Sequence, residues 1–235
     1  MPDVIVAGRQ RDVIANCERG ESLQRLAFAQ TFMPPDVLDR AMGGFEEMYT
    51  EGTPPWDIGR PQREFVRLEE AGEIRGRVLD VGCGTGENAL YLATRGHEVW
   101  GVDAAPTAIE KAKGKAKTRG VAATFRLHDA LELKKLNRTF DTVIDSGLFH
   151  TFPDEDRPRY AQSLGSVLRK GGHAFVMCFS EREPGTWGPR RVTQAELKGA
   201  FREGWRIAWI HAAQFEARTE GGGNAAQAWL AKIVR

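Results

Sequence analysis

The chain is poor in cysteine, in long apolar runs and in net charge, and each shortage removes a class of function. Its 235 residues include three cysteines, Cys17, Cys83 and Cys178. The number is odd, they lie far apart, and no metal-ligand spacing surrounds them. A disulfide framework and a structural metal site are therefore not expected, and a reduced cytoplasmic protein is. No apolar run approaches the roughly 20 residues needed to cross a bilayer, and Val4-Ile5-Val6-Ala7 is too short for a secretory signal. The 33 basic and 32 acidic side chains leave a formal charge of +1, so no whole-protein field favours nucleic acid or an anionic membrane. The one basic run, Lys111, Lys113, Lys115, Lys117 and Arg119, has small residues between the charges and no aromatic to stack a base. It reads as a solvated helix face. Oligomeric state leaves no mark on the sequence.

What is present is an alternation of short apolar runs with helical patterns. Strands are expected at 78–81, 98–102, 124–127, 142–145 and 174–179, with helices at 88–95, 107–118 and 156–168 between them. Lys170-Gly171-Gly172 reads as a basic last turn and a glycine stop. Such alternation predicts a parallel sheet with right-handed crossovers and helices on both faces. Further on, a helix at 193–201 precedes two extended runs, 205–211 and 225–234, expected to pair antiparallel through Glu220-Gly221-Gly222-Gly223-Asn224. The first 60 residues differ: helical spacing at 11–32, a short helix from Val37 to Phe45, and the proline-rich loop Thr53–Pro61. A helix at 62–71 leads into the first strand. We divide the chain into a helical cap or lid, 1–60, and a main α/β unit, 61–235, within one domain.

The richest stretch is Val78-Leu79-Asp80-Val81-Gly82-Cys83-Gly84-Thr85-Gly86-Glu87-Asn88. A buried-strand signal runs into a glycine turn and then a helix start, which brings backbone N–H groups close to a ligand. Asp103 ends the next apolar run, about twenty residues beyond the first glycine, where a nucleoside-binding α/β fold places the acid for the ribose hydroxyls. A dinucleotide turn is spaced G-x-G-x-x-G. This one is G-x-G-x-G behind an acid, and a nicotinamide enzyme would need its third glycine one residue later.

That shorter form resembles motif I of the class I S-adenosylmethionine-dependent methyltransferases, over roughly 77–179 and more loosely to the C-terminus. The resemblance implies a Rossmann-like seven-stranded, mostly parallel sheet with an antiparallel C-terminal hairpin. It also implies S-adenosyl-L-methionine as cofactor, S-adenosyl-L-homocysteine as product, and no metal. Carried over by position, Gly82, Gly84 and Gly86 lie under the methionine part, and Asp80 helps orient its amino group. Asp103 and the adjacent Ala104 take the ribose, and Asp129 with Ala130 the adenine. The fourth-strand end, Asp145 to His150, lies beside the sulfonium and opens onto the acceptor. There Asp145 and His150 are the catalytic candidates, His150 as general base, and Phe149 and His150 line the acceptor.

A narrower resemblance lies in Pro54-Pro55-Trp56-Asp57-Ile58-Gly59-Arg60-Pro61-Gln62, similar to a loop before motif I in the thiopurine, halide and heterocyclic-toxin methyltransferase group. It implies that Trp56 walls the cofactor site, where an aromatic face attracts a positive centre. Arg60 is then available for the methionine carboxylate or an acidic acceptor. The loop Gly185–Arg191 resembles the substrate-side loop of that group, making Trp187 and Arg190 acceptor candidates. The expected reaction is methyl transfer to nitrogen, oxygen or sulfur of a small molecule, with no nucleic-acid or membrane partner. The rivals are a nucleic-acid or protein methyltransferase and a cofactor-binding regulator. The Asp145-Ser146-Gly147-Leu148 run lacks the Asn/Asp-Pro-Pro-aromatic signature of amino methylation.

Overall fold

The computed structural model describes residues 44–218 and 225–235. The helix expected at 11–32, most of the one at 37–45, Cys17 and the turn at 220–224 lie outside the described residues.

Four residues explain how the sheet begins. β1, Val78–Val81, is buried at every position, because a central parallel strand has both faces covered. It pairs in parallel with β2 (Val99–Asp103) on one side and β4 (Phe140–Ser146) on the other. The full order is β3-β2-β1-β4-β5-β7-β6, with β3 at Thr124–Leu127, β5 at Leu168–Phe179, β6 at Arg206–Glu216 and β7 at Ala225–Val234. β7 is antiparallel to both β5 and β6. The fold is thus the seven-stranded, mostly parallel sheet with a C-terminal antiparallel pair that the sequence led us to expect. The order reverses between β1 and β4, so their C-terminal ends open a crevice there.

Helices fill the crossovers: α1 (Phe45–Glu51) and α2 (Arg63–Glu70) precede the sheet, α3 (Glu87–Thr94) follows β1, α4 (Pro106–Arg119) follows β2, α5 (Asp156–Val167) follows β4, and α6 (Gln194–Ala200) follows β5. One apolar layer packs α5 and α6 against the sheet through Tyr160, Leu164, Leu197 and Phe201. The opposite layer packs α2, α3 and α4 through Phe65, Leu92 and Ile109. Pro106 opens α4, where its missing N–H costs nothing, and Gly120 closes it at φ 64°.

Three boundaries differ from expectation. Lys170-Gly171-Gly172 is not a helix stop. α5 ends at Val167, and Leu168 enters β5 at once, opposite Phe140, with both side chains fully buried. Gly171 then turns the strand, its N–H donating to the Arg235 carbonyl. β6 runs on to Glu216, since pairing to β7 continues along its whole length. A 3₁₀ segment, Ala130–Leu136, capped by Asp129, was not expected; it closes the layer through Leu133.

Candidate active site

The crevice holds three acids at neighbouring strand ends: Asp80 on β1, Asp103 on β2 and Asp145 on β4. They do different work. Asp103 organises the turn, its Oδ2 accepting the Gly84 N–H at 2.8 Å and its Oδ1 the Ala105 N–H at 2.9 Å. Burial nonetheless pushes its carboxyl up. Asp80 accepts the Ala89 N–H through Oδ2 at 3.1 Å. Its Oδ1 is buried with no partner among the described residues, and desolvation pushes this carboxyl up to about 8. A sealed carboxylate oxygen with nothing to accept is costly. Asp145 is instead consumed by its own fold. Oδ1 accepts Leu148 N–H at 2.7 Å, while Oδ2 accepts Phe149 N–H at 3.1 Å and Tyr160 O–H at 2.8 Å. Both oxygens of this catalytic candidate are thus engaged in shaping the turn after β4.

Gly82, Gly84 and Gly86 all have positive φ, of 70°, 52° and 85°. Gly84 matters most, because a Cβ there would lie 2.7 Å from Tyr49 Oη. Tyr49 rises from α1 beside the turn, accepting the Trp56 indole N–H at 2.8 Å. The two rings meet edge-on at 6.2 Å, and Trp56 also meets Phe45 at 5.7 Å. Both pack on Ala105 and Ala108. Trp56 therefore stands, through Tyr49, beside the glycine turn. Asp129 caps the 3₁₀ segment through Oδ1, accepting Leu131 N–H at 2.9 Å; Ala130 follows, buried, and Ala104 is half-buried beside Asp103.

Arg60 is placed elsewhere. Its guanidinium grips Glu216 with two bonds of 3.0 and 2.9 Å, on a side chain 56% exposed. Glu216 also accepts the Arg63 N–H, and its backbone is paired in both directions by the Gln62 side chain. Asp57, two residues before Gly59, accepts the Thr85 hydroxyl at 2.8 Å, and Lys115 donates to Thr85 at 2.6 Å. The strap 53–62 is thus tied to the glycine turn at one end and to the end of β6 at the other.

The acceptor side is aromatic. His150 is buried, with its ring 5.2 Å from Phe179 and 6.1 Å from Phe215. Phe179 lies 5.4 Å from Phe215 and 5.5 Å from Trp187, itself 43% exposed. The turn after β4 lies between this cluster and the glycine turn: a Cβ at Gly147 would come 2.7 Å from Phe215, and one at Gly82 would meet Leu148 at 2.9 Å. His150 Nδ1 accepts the Phe179 N–H at 3.1 Å. Burial, with Arg157 and Arg191 nearby, pushes the ring down to about 3. The Nδ1 lone pair is thus already engaged by the β5 backbone. Phe149 points the other way, fully buried between Tyr160 and Phe201, and Arg190 is held by Asp154 and Glu196. Neither faces the cluster. Tyr49, Phe179 and Phe215 were missed as site residues, because single aromatics at helix or strand ends are indistinguishable from core in sequence.

A family model described as a methyltransferase domain matches residues 78–172. The chain is 39% identical over 189 residues to a 2-heptyl-1-hydroxyquinolin-4(1H)-one methyltransferase of Mycobacteroides abscessus, across 79% of this chain and 83% of that one. It is 31% identical over 164 residues to a probable thiol methyltransferase 2 of Arabidopsis thaliana, across 69% and 73%. Among solved structures it is similar to a protein studied for the conversion of a disulfide bond into a thioacetal group during echinomycin biosynthesis. That match has TM-score 0.73 and 39% identity, over 78% of this chain and 84% of that one. A likeness to the magnesium protoporphyrin IX methyltransferase of Synechocystis PCC 6803, at TM-score 0.57 and 19% identity, is one of fold. The seven-stranded sheet with its antiparallel C-terminal pair is the one the resemblance implied, and with such identity over most of both chains the protein belongs to the class I S-adenosylmethionine-dependent methyltransferases.

Proposed function

We propose that the protein methylates nitrogen, oxygen or sulfur on a small aromatic or thiol-bearing molecule. The observation that carries this is the cluster of His150, Phe179, Phe215 and Trp187, joined to the glycine turn by the adjacent Gly147, which lies against Phe215, and Leu148, which lies against Gly82. Flat aromatic walls suit a flat acceptor. Two relatives are named for small acceptors, a hydroxyquinolone and thiols. When bound, S-adenosylmethionine supplies a methyl group already electrophilic on its sulfonium, so no metal is assigned to the reaction. Asp80 would hold the amino group and the 82–86 turn the methionine part. Asp103 and Ala104 would take the ribose, Asp129 and Ala130 the adenine edge, and Trp56 with Tyr49 would cover the site. The chain's task is to align the acceptor and exclude water, which is catalysis by proximity.

The cap or lid 1–60, with the main unit 61–235, belongs to the same proposal, as does a cytoplasmic location. Among the described residues no helix is long and apolar enough to cross a membrane, and no group of three metal-ligating side chains occurs.

Calorimetry with S-adenosylmethionine and S-adenosylhomocysteine tests the cofactor reading, with an acceptor panel of thiols, iodide, thiopurines and hydroxyquinolones to follow. We expect micromolar binding and turnover of at least one aromatic acceptor. Cofactor binding with transfer only to RNA or protein would overturn the acceptor assignment. Binding without transfer to any of them would indicate a regulator.

A further inference from the structure

Because His150 faces the aromatic cluster as a donor, its chemistry bears on the state of the acceptor. Resting on the acceptor site proposed above, we infer that His150 selects acceptors bound as anions, its Nε2–H donating to a heteroatom that has already lost its proton.

The backbone decides the tautomer. The Phe179 N–H points at Nδ1 from 3.1 Å, so Nδ1 must carry the lone pair and Nε2 the proton. Phe179 belongs to β5 and cannot turn its N–H away without breaking the strand, so the assignment is held by the sheet. Nε2 has no partner among the described residues and is not among the buried orphaned atoms. It is left free to meet a ligand. Gly147 backs the ring, since a Cβ there would come within 3.3 Å of it.

The surrounding charges have one sign in excess. From α5 comes Arg157, fully buried, bonded to Asp154 and Glu196, with Nε and one terminal nitrogen unpartnered. From the loop after β5 comes Arg191, 5.9 Å from the Phe179 and Trp187 rings, with Nε buried and unpartnered. Arg190 shares Asp154 and Glu196 with Arg157. Two guanidinium groups thus share two carboxylates, and that of Arg191 donates to the backbone carbonyls of Pro184, Gly185, Trp187 and Pro189. Asp145 on β4 has its oxygens turned to Leu148, Phe149 and Tyr160. Among the described residues no carboxylate bonds to the His150 ring, as a base would need to be raised, and burial with both arginines pushes its pKa down.

In this arrangement the acceptor's lone pair forms the new bond to the methyl carbon as the carbon–sulfur bond breaks, its electrons going to sulfur. Anion and sulfonium become two neutral products, and no proton moves in the site.

Two measurements decide it, neither needing turnover. In wild-type protein with labelled histidine, identified by the signal lost in His150→Gln, nitrogen shifts should keep the neutral Nε2–H form from about pH 5 to 8. Titration within that window would make His150 a base and overturn the inference. Second, 4-nitrophenol, whose absorbance reports its ionisation, is added to the enzyme saturated with S-adenosylhomocysteine. We expect its apparent pKa to fall by about one unit, a tenfold bias toward the anion. The shift should vanish in His150→Phe and survive in part in His150→Gln. A bound phenol kept neutral, an equal shift in His150→Phe, or no spectral change at millimolar probe would each overturn it. Failure of S-adenosylhomocysteine to bind wild type would instead refute the proposed cofactor site.

Discussion

The two ends of the crevice are built by opposite means. At the cofactor end, the parts lie within about one βαβ unit and act largely through backbone: the Gly84 and Ala105 N–H groups, the turn itself, and carboxylates at successive strand ends. At the acceptor end, side chains come from segments far apart in the chain, His150 after β4, Phe179 ending β5, Trp187 in the following loop and Phe215 on β6. Backbone geometry constrains residue type and spacing; a cluster of aromatic side chains constrains only size and shape.

The largest effect should come from breaking the backbone-built end. Asp103→Ala strands the Gly84 and Ala105 N–H groups together, and hydrogen bonds to a charged acceptor contribute about 1.5–3 kcal/mol each. Cofactor affinity should drop at least a hundredfold by calorimetry. An affinity within tenfold of wild type would mean that the turn keeps its shape without the acid.

Gly84→Ala comes next, since it adds a Cβ at φ 52° and 2.7 Å from Tyr49 Oη. The left-handed conformation costs alanine roughly 1–2 kcal/mol, and the clash adds to it. The next Tyr49 atom lies 3.7 Å away, so Tyr49→Phe should relieve the steric part. We expect the double variant to recover some of the thermal stability lost in Gly84→Ala. Strict additivity in that cycle would show that Tyr49 does not press on the turn.

Asp80 predicts a pH dependence of opposite sign to that of an ordinary salt-bridged acid. Its folded pKa, about 8, lies above the ordinary 3.8. Between those values the native state holds a proton that the unfolded chain has released, so Asp80 makes stability fall as pH rises. Asp80→Asn should flatten that fall in the ligand-free protein, raising its melting temperature near pH 8 while weakening cofactor binding. An unchanged slope would show that Oδ1 is already solvated.

These contrasts also explain what was legible in the sequence. The sheet, the crossovers and Asp80, Asp103 and the glycines could be read because short-range spacing encodes them. The errors were of another kind. Phe149 and His150 are adjacent, yet one faces the α5 and α6 layer and the other the acceptor cluster, a choice made by the 3₁₀ turn at Phe149–Thr151. Phe215, on the last strand but one, reads as core until β6 is placed. Replacing it with leucine removes one wall of the cluster without opening the sheet. We expect roughly a tenfold rise in acceptor KM, with cofactor affinity unchanged. An equal loss of cofactor affinity would show that the two ends are not separable.

The smallest effect is expected at Arg60, and it sharpens the contrast because the sequence placed this residue at the cofactor. Its partner Glu216, 156 positions along the chain, holds the guanidinium, and that bond lowers the Glu216 carboxyl from its ordinary pKa. Arg60 is mostly exposed, so the pair contributes only about 0.2–1 kcal/mol. Glu216 does more, since it also accepts the Arg63 N–H at the start of α2. Arg60→Ala should therefore lower the melting temperature less than Glu216→Ala does, and leave cofactor affinity within about twofold. A tenfold loss of affinity in Arg60→Ala would mean that the guanidinium leaves Glu216 for the methionine carboxylate on binding. The strap would then be part of the cofactor end, not a tether between the two.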